Sequence, residues 1–262
     1  MIPKIIHYCW FGNNPLPPLA LKCIESWRRF LPEYTIIQWS EDSVNATGAE
    51  GINSPDEIRA FDVNIISYTK EAYKAKKYAF VSDYARFLVL YQYGGLYFDT
   101  DVELIKPIDD IIGQGNFMGC ESDLNMGAKK LTVAPGLVMG VDKEDCFIKQ
   151  LIDLYNNLSF IDKDGNIIIN KTIVDYTTEM LENEGMRNIT GVQKVAGYNI
   201  YPAEYFCPIN AITKRLHITD NTRSIHHYAA SWVNVSYKKR IKKIIRGLIP
   251  ERMLIKWNQR HN

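Results

Sequence analysis

The sequence has no apolar run near the roughly 18 residues that a helical membrane span requires, so no such span is expected. It also lacks a signal-peptide layout, because Met1-Ile2-Pro3-Lys4 leads straight into a strand-like run. Five cysteines are an odd number, and no two are spaced C-x-x-C. Neither a disulfide framework nor a zinc site is signalled, and a reducing cytoplasm is the expected compartment. Internal repeats and low-complexity runs are absent as well. Net charge is scarce at +1, but it is unevenly placed. Residues 237–262 hold nine Lys/Arg and one acid, Glu251, leaving 22 basic and 29 acidic residues for the rest.

What the chain does have is length and apolar content. At 262 residues and 46% hydrophobic, it can build one large α/β domain or two small ones. The stretch from Phe80 to Asp101 organises it. Phe80, Val81, Tyr84, Phe87, Leu88 and Tyr91 recur at helical spacing and predict one buried helix face. Gly94-Gly95 ends that helix, since a left-handed cap residue is least strained as glycine. Leu96-Tyr97-Phe98 then reads as a short buried strand.

Asp99 and Asp101 follow, on the same side of an extended backbone. Two carboxylates about 6 Å apart repel by roughly 3 kcal/mol at an effective dielectric near 20, so a cation is expected beside them. Oxygen ligands of this kind suit Mg²⁺ or Mn²⁺, shared with substrate phosphates. A solvated strand end is the plainer alternative for a bare Asp-x-Asp, and the helix, glycine pair and strand ahead of it weigh against that. One turn of the helix also carries Asp83 and Arg86 at i,i+3. They form either a surface ion pair worth about 0.2–0.5 kcal/mol or a clamp for sugar hydroxyls or phosphate.

Upstream, Lys4–Trp10 predicts a central strand, Pro17 or Pro18 opens a helix to Phe30, and Tyr34–Trp39 predicts a second strand. Strand-helix-strand at this length predicts a parallel βαβ unit. Trp10, at the carboxyl end of the first strand, can stack a nucleobase or simply pack in the core. A polar loop at Asn45–Pro55 and a helix beginning at Ser54 or Pro55 are expected next, with Asp62-Val63-Asn64 near the cleft.

Beyond the two acids, Val102–Ile105 continues extended, and Val133–Gly140 reads as one buried strand. Glu121 is either a cleft acid or an ordinary surface carboxylate. Helices are expected over 142–158 and 171–184, and Tyr198–Cys207 reads as an edge or irregular segment because of Pro202 and Pro208. Of the adjacent His226 and His227, one can face the cleft and add an imidazole to the two carboxylates. Two ordinary surface histidines are the alternative. Residues 238–256 interleave bases with Ile, Leu and Met, with Trp257 following, a pattern suited to an anionic membrane surface rather than to nucleic acid, a solvated or domain-packing helix being the plainer alternative.

Taken together, Ile2–Trp10, Ser82-Asp83-Tyr84-Ala85-Arg86, Gly94–Asp101 and His226-His227 with Ser231-Trp232 resemble the bacterial members of glycosyltransferase family 32. Such enzymes carry a DXD sugar-binding region and include capsule and lipopolysaccharide sugar transferases. The resemblance implies an α/β GT-A fold, with a Rossmann-like nucleotide-sugar half (about 1–140) fused to an acceptor half (about 141–236) in one domain. Residues 237–262 then form a basic tail. Retaining transfer of a hexose from a nucleotide sugar, UDP-linked by preference, is implied, with Mn²⁺ or Mg²⁺.

Carried over by residue, the resemblance has Trp10 stacking the base, and Asp83 and Arg86 holding the donor sugar beside Tyr97. It has Asp99 meeting ribose or metal, Asp101 and His227 (or His226) binding metal, and Ser231 and Trp232 closing over the diphosphate. No residue stands out as a covalent nucleophile, so front-face attack by an acceptor hydroxyl is expected, with the donor phosphate taking the proton. The tail adds an expectation of peripheral attachment at the inner face of the cytoplasmic membrane and a polyprenyl-diphosphate-linked glycan acceptor. Two rivals are a non-catalytic sugar-nucleotide or membrane-binding module, and a DxD phosphohydrolase of the haloacid dehalogenase type. The latter calls for Thr or Val two residues after the second Asp, where this chain has Glu103.

Overall fold

The computed structural model describes residues 1–42 and 55–229. Ser231, Trp232, the tail from 237 and nearly all of the polar loop therefore lie outside the described residues. The first strand, β1 (Ile5–Cys9), is followed by α1 (Pro18–Phe30) and β2 (Thr35–Ser40). β1 and β2 run parallel, Ile5 opposite Thr35 through Cys9 opposite Trp39, so the expected βαβ unit is present. Pro17 holds the extended N-cap conformation and proline follows at the first helical position. Helix α1 buries Ala20, Cys23, Ile24 and Trp27, and the Trp27 indole stacks on Phe98 while donating to the Val102 carbonyl at 2.8 Å.

Where a helix was expected from Ser54 or Pro55, the chain forms strand β3 (Glu57–Ala60), parallel to β2. Asp56 explains the difference. Its amide donates to Ile36 O (2.9 Å), its carboxylate accepts from Ile36 N (2.7 Å), and Arg28 pairs with it at 3.1 Å. Tertiary pairing overrides local propensity here. Helix α2 (Ser67–Lys74) leads into α3 (Tyr78–Tyr93), which ends at Gly94 (φ 64), as expected. Strand β4 (Gly95–Tyr97) then inserts between β1 and a later strand, with Gly95 (φ 105) so close to β1 that a Cβ would sit 2.6 Å from Ile5 O.

After β4 come β5 (Val102–Leu104), α4 (Asp109–Ile112) and β6 (Phe117–Ser122). The single strand expected over 133–140 is two pieces, β7 (Thr132–Val133) and β8 (Met139–Val141). Between them the chain turns, with Leu137 N bonded to Ala134 O, and Gly136 O accepts from Asp99 N at 2.9 Å. Helices α5 (Cys146–Asn156) and α6 (Ile173–Asn183) fall where periodicity puts them; Asp145 caps the first and a Thr172/Asp175 capping box opens the second. Strands β9 (Gln193–Val195) and β10 (Tyr198–Tyr201), helix α7 (Ala203–Phe206) and β11 (Ser224–His226) complete the described chain. β10 is not an edge strand: it lies between β6 and β9, and Pro202 falls just past its end.

The main sheet runs β3-β2-β1-β4-β8-β6-β10-β9, with β7 beside β6. Helices α2, α3, α5 and α6 contribute to the apolar cluster on one face, while α1 packs in the cluster that holds Phe98, Val102, Ile108 and Phe206. β5 leaves this sheet and pairs antiparallel with β11.

Buried His7 ties β1, β2 and the end of α3 together. Trp39 Nε1 can only donate, so His7 Nδ1 accepts from it (3.1 Å), and Nε2 carries the proton that it donates to Gly94 O (2.9 Å). Burial lowers the His7 pKa to about 4, against the pull of the Gly94 bond. The unfolded chain therefore binds a proton between pH 6.5 and 4 that the native state refuses, and stability falls as the pH drops through that window. The expected loss from this residue is about 3 kcal/mol. Urea unfolding of wild type and His7→Gln at pH 7 and pH 4.5 checks it. An equal pH slope in both proteins would remove His7 from the account.

Candidate active site

The carboxyl ends of β1 and β4 open on a cleft of about 890 Å³, where ligands collect in open α/β sheets. Trp10, Asp83, Arg86, Asp99 and Asp101 all line it. Trp10 is half-buried, and its Nε1 is fixed by donation to Asn14 O at 2.6 Å. Arg86 is the hub: its side chain is 4% exposed. One Nη donates to Asp83 Oδ1 (3.0 Å), the other lies 3.3 Å from Asp99 Oδ1, and Nε donates to Ser82 O (3.1 Å). The guanidinium sits over the Tyr97 ring at 4.8 Å, and Tyr97 donates to Asp99 at 3.2 Å. Tyr97 is thus fully buried beneath the site, where it orients Asp99 and Arg86 and does not line the cleft.

Burial dominates the electrostatics. It pushes Asp83 up to about 7 against the pull of Arg86, and raises Asp99 in the same way. Burial works against the Arg86 charge too, and Asp99, Tyr97 and Asp83 outweigh it, so Arg86 stays a cation. Asp101 behaves differently. Burial would raise it, but His226 and the Ala229 amide overcome that and hold it below the usual carboxylate range.

The imidazole against Asp101 belongs to His226, with Nε2 at 3.2 Å from Oδ1. His227 turns the other way: its Nε2 is 2.8 Å from Glu103, which also pairs with Lys22. The register of β11 on β5, with Ser224 opposite Leu104 and His226 opposite Val102, precedes this divergence. Ala229 N donates to Asp101 Oδ2 at 2.9 Å. Glu121 lines the cleft, but Asp62 and Asn64 do not; the Asp62 carboxylate instead accepts from Asn64 N. Sequence reasoning missed Gly136, where a Cβ would come within 1.9 Å of Asp99 Oδ2. It also missed Tyr78, Tyr228 and the start of α6 as cleft walls. Pro135-Gly136 inside an apolar run was the available signal for the first.

Among the described residues, no three His, Cys, Asp or Glu side chains are arranged to hold a metal ion. Asp99 is engaged by Arg86 and Tyr97, and Asp101 by His226. The donor chemistry still fits Mg²⁺ or Mn²⁺, which are commonly held by one or two carboxylates and completed by water and substrate phosphates rather than by a protein cage.

A mixed sheet flanked by helices, with Asp-x-Asp at the cleft beyond a central strand, defines a GT-A-type α/β domain. The chain carries a DXD-type sugar-binding region and is related to several sugar-transferase families. Residues 17–118 match the family described as "Glycosyltransferase sugar-binding region containing DXD motif". Over 120 residues the chain is 28% identical to inositol phosphoceramide mannosyltransferase 1 of Schizosaccharomyces pombe, covering 45% of this chain and 33% of that one. An uncharacterized glycosyltransferase of Acanthamoeba polyphaga mimivirus is 24% identical over 186 residues, 70% of this chain and 69% of its own. The PaToxG glycosyltransferase structure aligns over 70% of each chain with a TM-score of 0.51 and 19% identity, a likeness of fold. The chain spans a third or less of the length of the two Schizosaccharomyces relatives it matches.

Proposed function

We propose that this domain is a metal-dependent retaining glycosyltransferase of the family 32 type, moving a hexose from a nucleotide sugar, UDP-linked by preference, to a glycan hydroxyl. One observation carries the reading: a single cleft gathers Trp10, the buried Asp83–Arg86 pair, Asp99, Asp101 and His226. Trp10 takes the base at the end of β1. Asp83 and Arg86 hold the donor sugar, and Arg86 also fixes the Asp99 carboxylate. Asp99 and Asp101 would hold Mn²⁺ or Mg²⁺, with His226 rather than His227 placed beside Asp101; the ion when bound neutralises the leaving nucleoside diphosphate. Ser231 and Trp232 keep their assigned role over the diphosphate in this reading.

The acceptor proposed is a lipid-linked glycan of surface polysaccharide synthesis, met at the inner face of the cytoplasmic membrane through the basic tail. The relative named for mannose transfer to an inositol phosphoceramide, itself a lipid, supports that choice. No helix among the described residues is long and apolar enough to cross a membrane.

Nucleotide release from a panel of UDP- and GDP-sugars, with Mn²⁺ and with EDTA, tests the reading. Release from one donor, lost in EDTA, is the expected result. No release from any donor overturns it: intact UDP binding would then favour a binding module, and orthophosphate as the product would favour a phosphohydrolase.

A further inference from the structure

Glu121 has no part in the donor site described above, yet the fold takes trouble to place it. Strand β6 pairs with β7 through Cys120 opposite Val133 and Ser122 opposite Thr132. Two steps along β6 therefore match one along β7, and Glu121 is the extra residue, a β-bulge. A bulge leaves its residue out of the ladder and re-aims the side chain. Here the pairing is held on both sides of the bulge, by the Ser122 and Thr132 hydroxyls 2.6 Å apart and by Ala134 N donating to Gly119 O at 3.1 Å. The re-aimed carboxylate lines the same cleft as Asp101 and His226, together with Thr132, Asp175 and Tyr228. These walls come from β7, α6 and the segment after β11, whereas Trp10 follows β1 and Asp83 stands on α3. A half-buried acid on the acceptor wall, with no lysine or arginine in an ion pair to it among the described residues, is placed to receive hydroxyl donors.

Resting on the transferase reading, we infer that Glu121 is an acceptor-binding residue: its carboxylate takes a hydrogen bond from the incoming hydroxyl compound and aims it at the donor sugar. In the step it serves, the acceptor oxygen bonds to the anomeric carbon as that carbon's bond to the diphosphate breaks. The diphosphate leaves with the electron pair and takes up the acceptor's proton. When water stands in for the sugar acceptor, one of its O–H groups is held by Glu121 and the other faces the diphosphate.

Water is therefore the probe nucleophile. Hydrolysis of the donor identified by the panel is measured for wild type, Glu121→Ala and Glu121→Gln, beside UDP affinity with Mn²⁺ by calorimetry. The expected result is a turnover about 100-fold lower in Glu121→Ala, the scale of loss that misplacing a reactant brings. Glu121→Gln, whose amide oxygen can still accept, is expected to recover part of it, with UDP affinity within threefold of wild type in both variants. Turnover within threefold of wild type in Glu121→Ala overturns the inference. So does a parallel loss of UDP affinity, which would assign Glu121 to the donor site or to folding. Absence of hydrolysis in wild type would instead overturn the transferase reading itself, before any variant is compared.

Discussion

Replacing Arg86 with methionine is expected to lower the unfolding free energy by about 3–5 kcal/mol, the cost of leaving a buried charge without its partner. Arg86 faces two carboxylates, Asp83 at 3.0 Å and Asp99 at 3.3 Å, and its own side chain is 4% exposed. Methionine fills much of the volume and supplies none of the charge or hydrogen bonds. Asp83 is also displaced in its titration by burial, to about 7, so without Arg86 it would take a proton at neutral pH and soften the penalty. The double variant Arg86→Met/Asp83→Asn should therefore regain part of the loss. Denaturant unfolding of both single variants and the double variant completes the cycle. A loss below about 1 kcal/mol in Arg86→Met would mean that the pair behaves as an exposed one. Arg86→Lys separates charge from geometry, because an ammonium cannot fork to two carboxylates while stacking over Tyr97.

The Asp101→Asn variant should fold normally and turn over donor about 100- to 1,000-fold more slowly, the range seen when one preorganised electrostatic contact is removed. The amide can still accept from Ala229 N, so the turn after β11 keeps its anchor. What it loses is the charge that His226 faces at 3.2 Å and that a divalent ion would share. Turnover at saturating donor, repeated across a Mn²⁺ titration, is the measurement. A variant with wild-type turnover and an unchanged Mn²⁺ dependence would take Asp101 out of the site.

Much of the chain from Ile5 to Asp101 was legible in the sequence because its signals are local. The apolar stripe of α3, the cap at Gly94 and the strand at Leu96-Tyr97 fold as read, whereas the two acids that follow stand in a turn closed by Val102 N on Asp99 O (3.0 Å) and not on an extended backbone. The βαβ unit from Ile5 to Ser40 was equally plain from its periodicities and prolines. What failed was long-range. Strand β3 exists because Asp56 hooks onto Ile36, and nothing in Glu57-Ile58-Arg59-Ala60 announces a partner. Strand alternation separated His226 from His227, but which ring faces Asp101 is decided across a gap of more than 100 residues. The resemblance sets Tyr97 beside the donor sugar, while in the structure it lies beneath Arg86 and outside the cleft lining. Gly136 and the bulge at Glu121 matter only through what lies opposite them in space.

The pairing of β5 with β11 also orders events on the ribosome. Asp101 accepts from His227 N through its carbonyl and from Ala229 N, 128 positions later, through its carboxylate. A nascent chain that ends between β10 and β11 already holds β1, β2, β4 and their helices, but its acid loop has no closing partner. Contacts of such sequence separation form late. The framework of β1, β2 and β4 is thus present before the site is, and a prematurely terminated polypeptide would carry it without His226 or the clasp on Asp101.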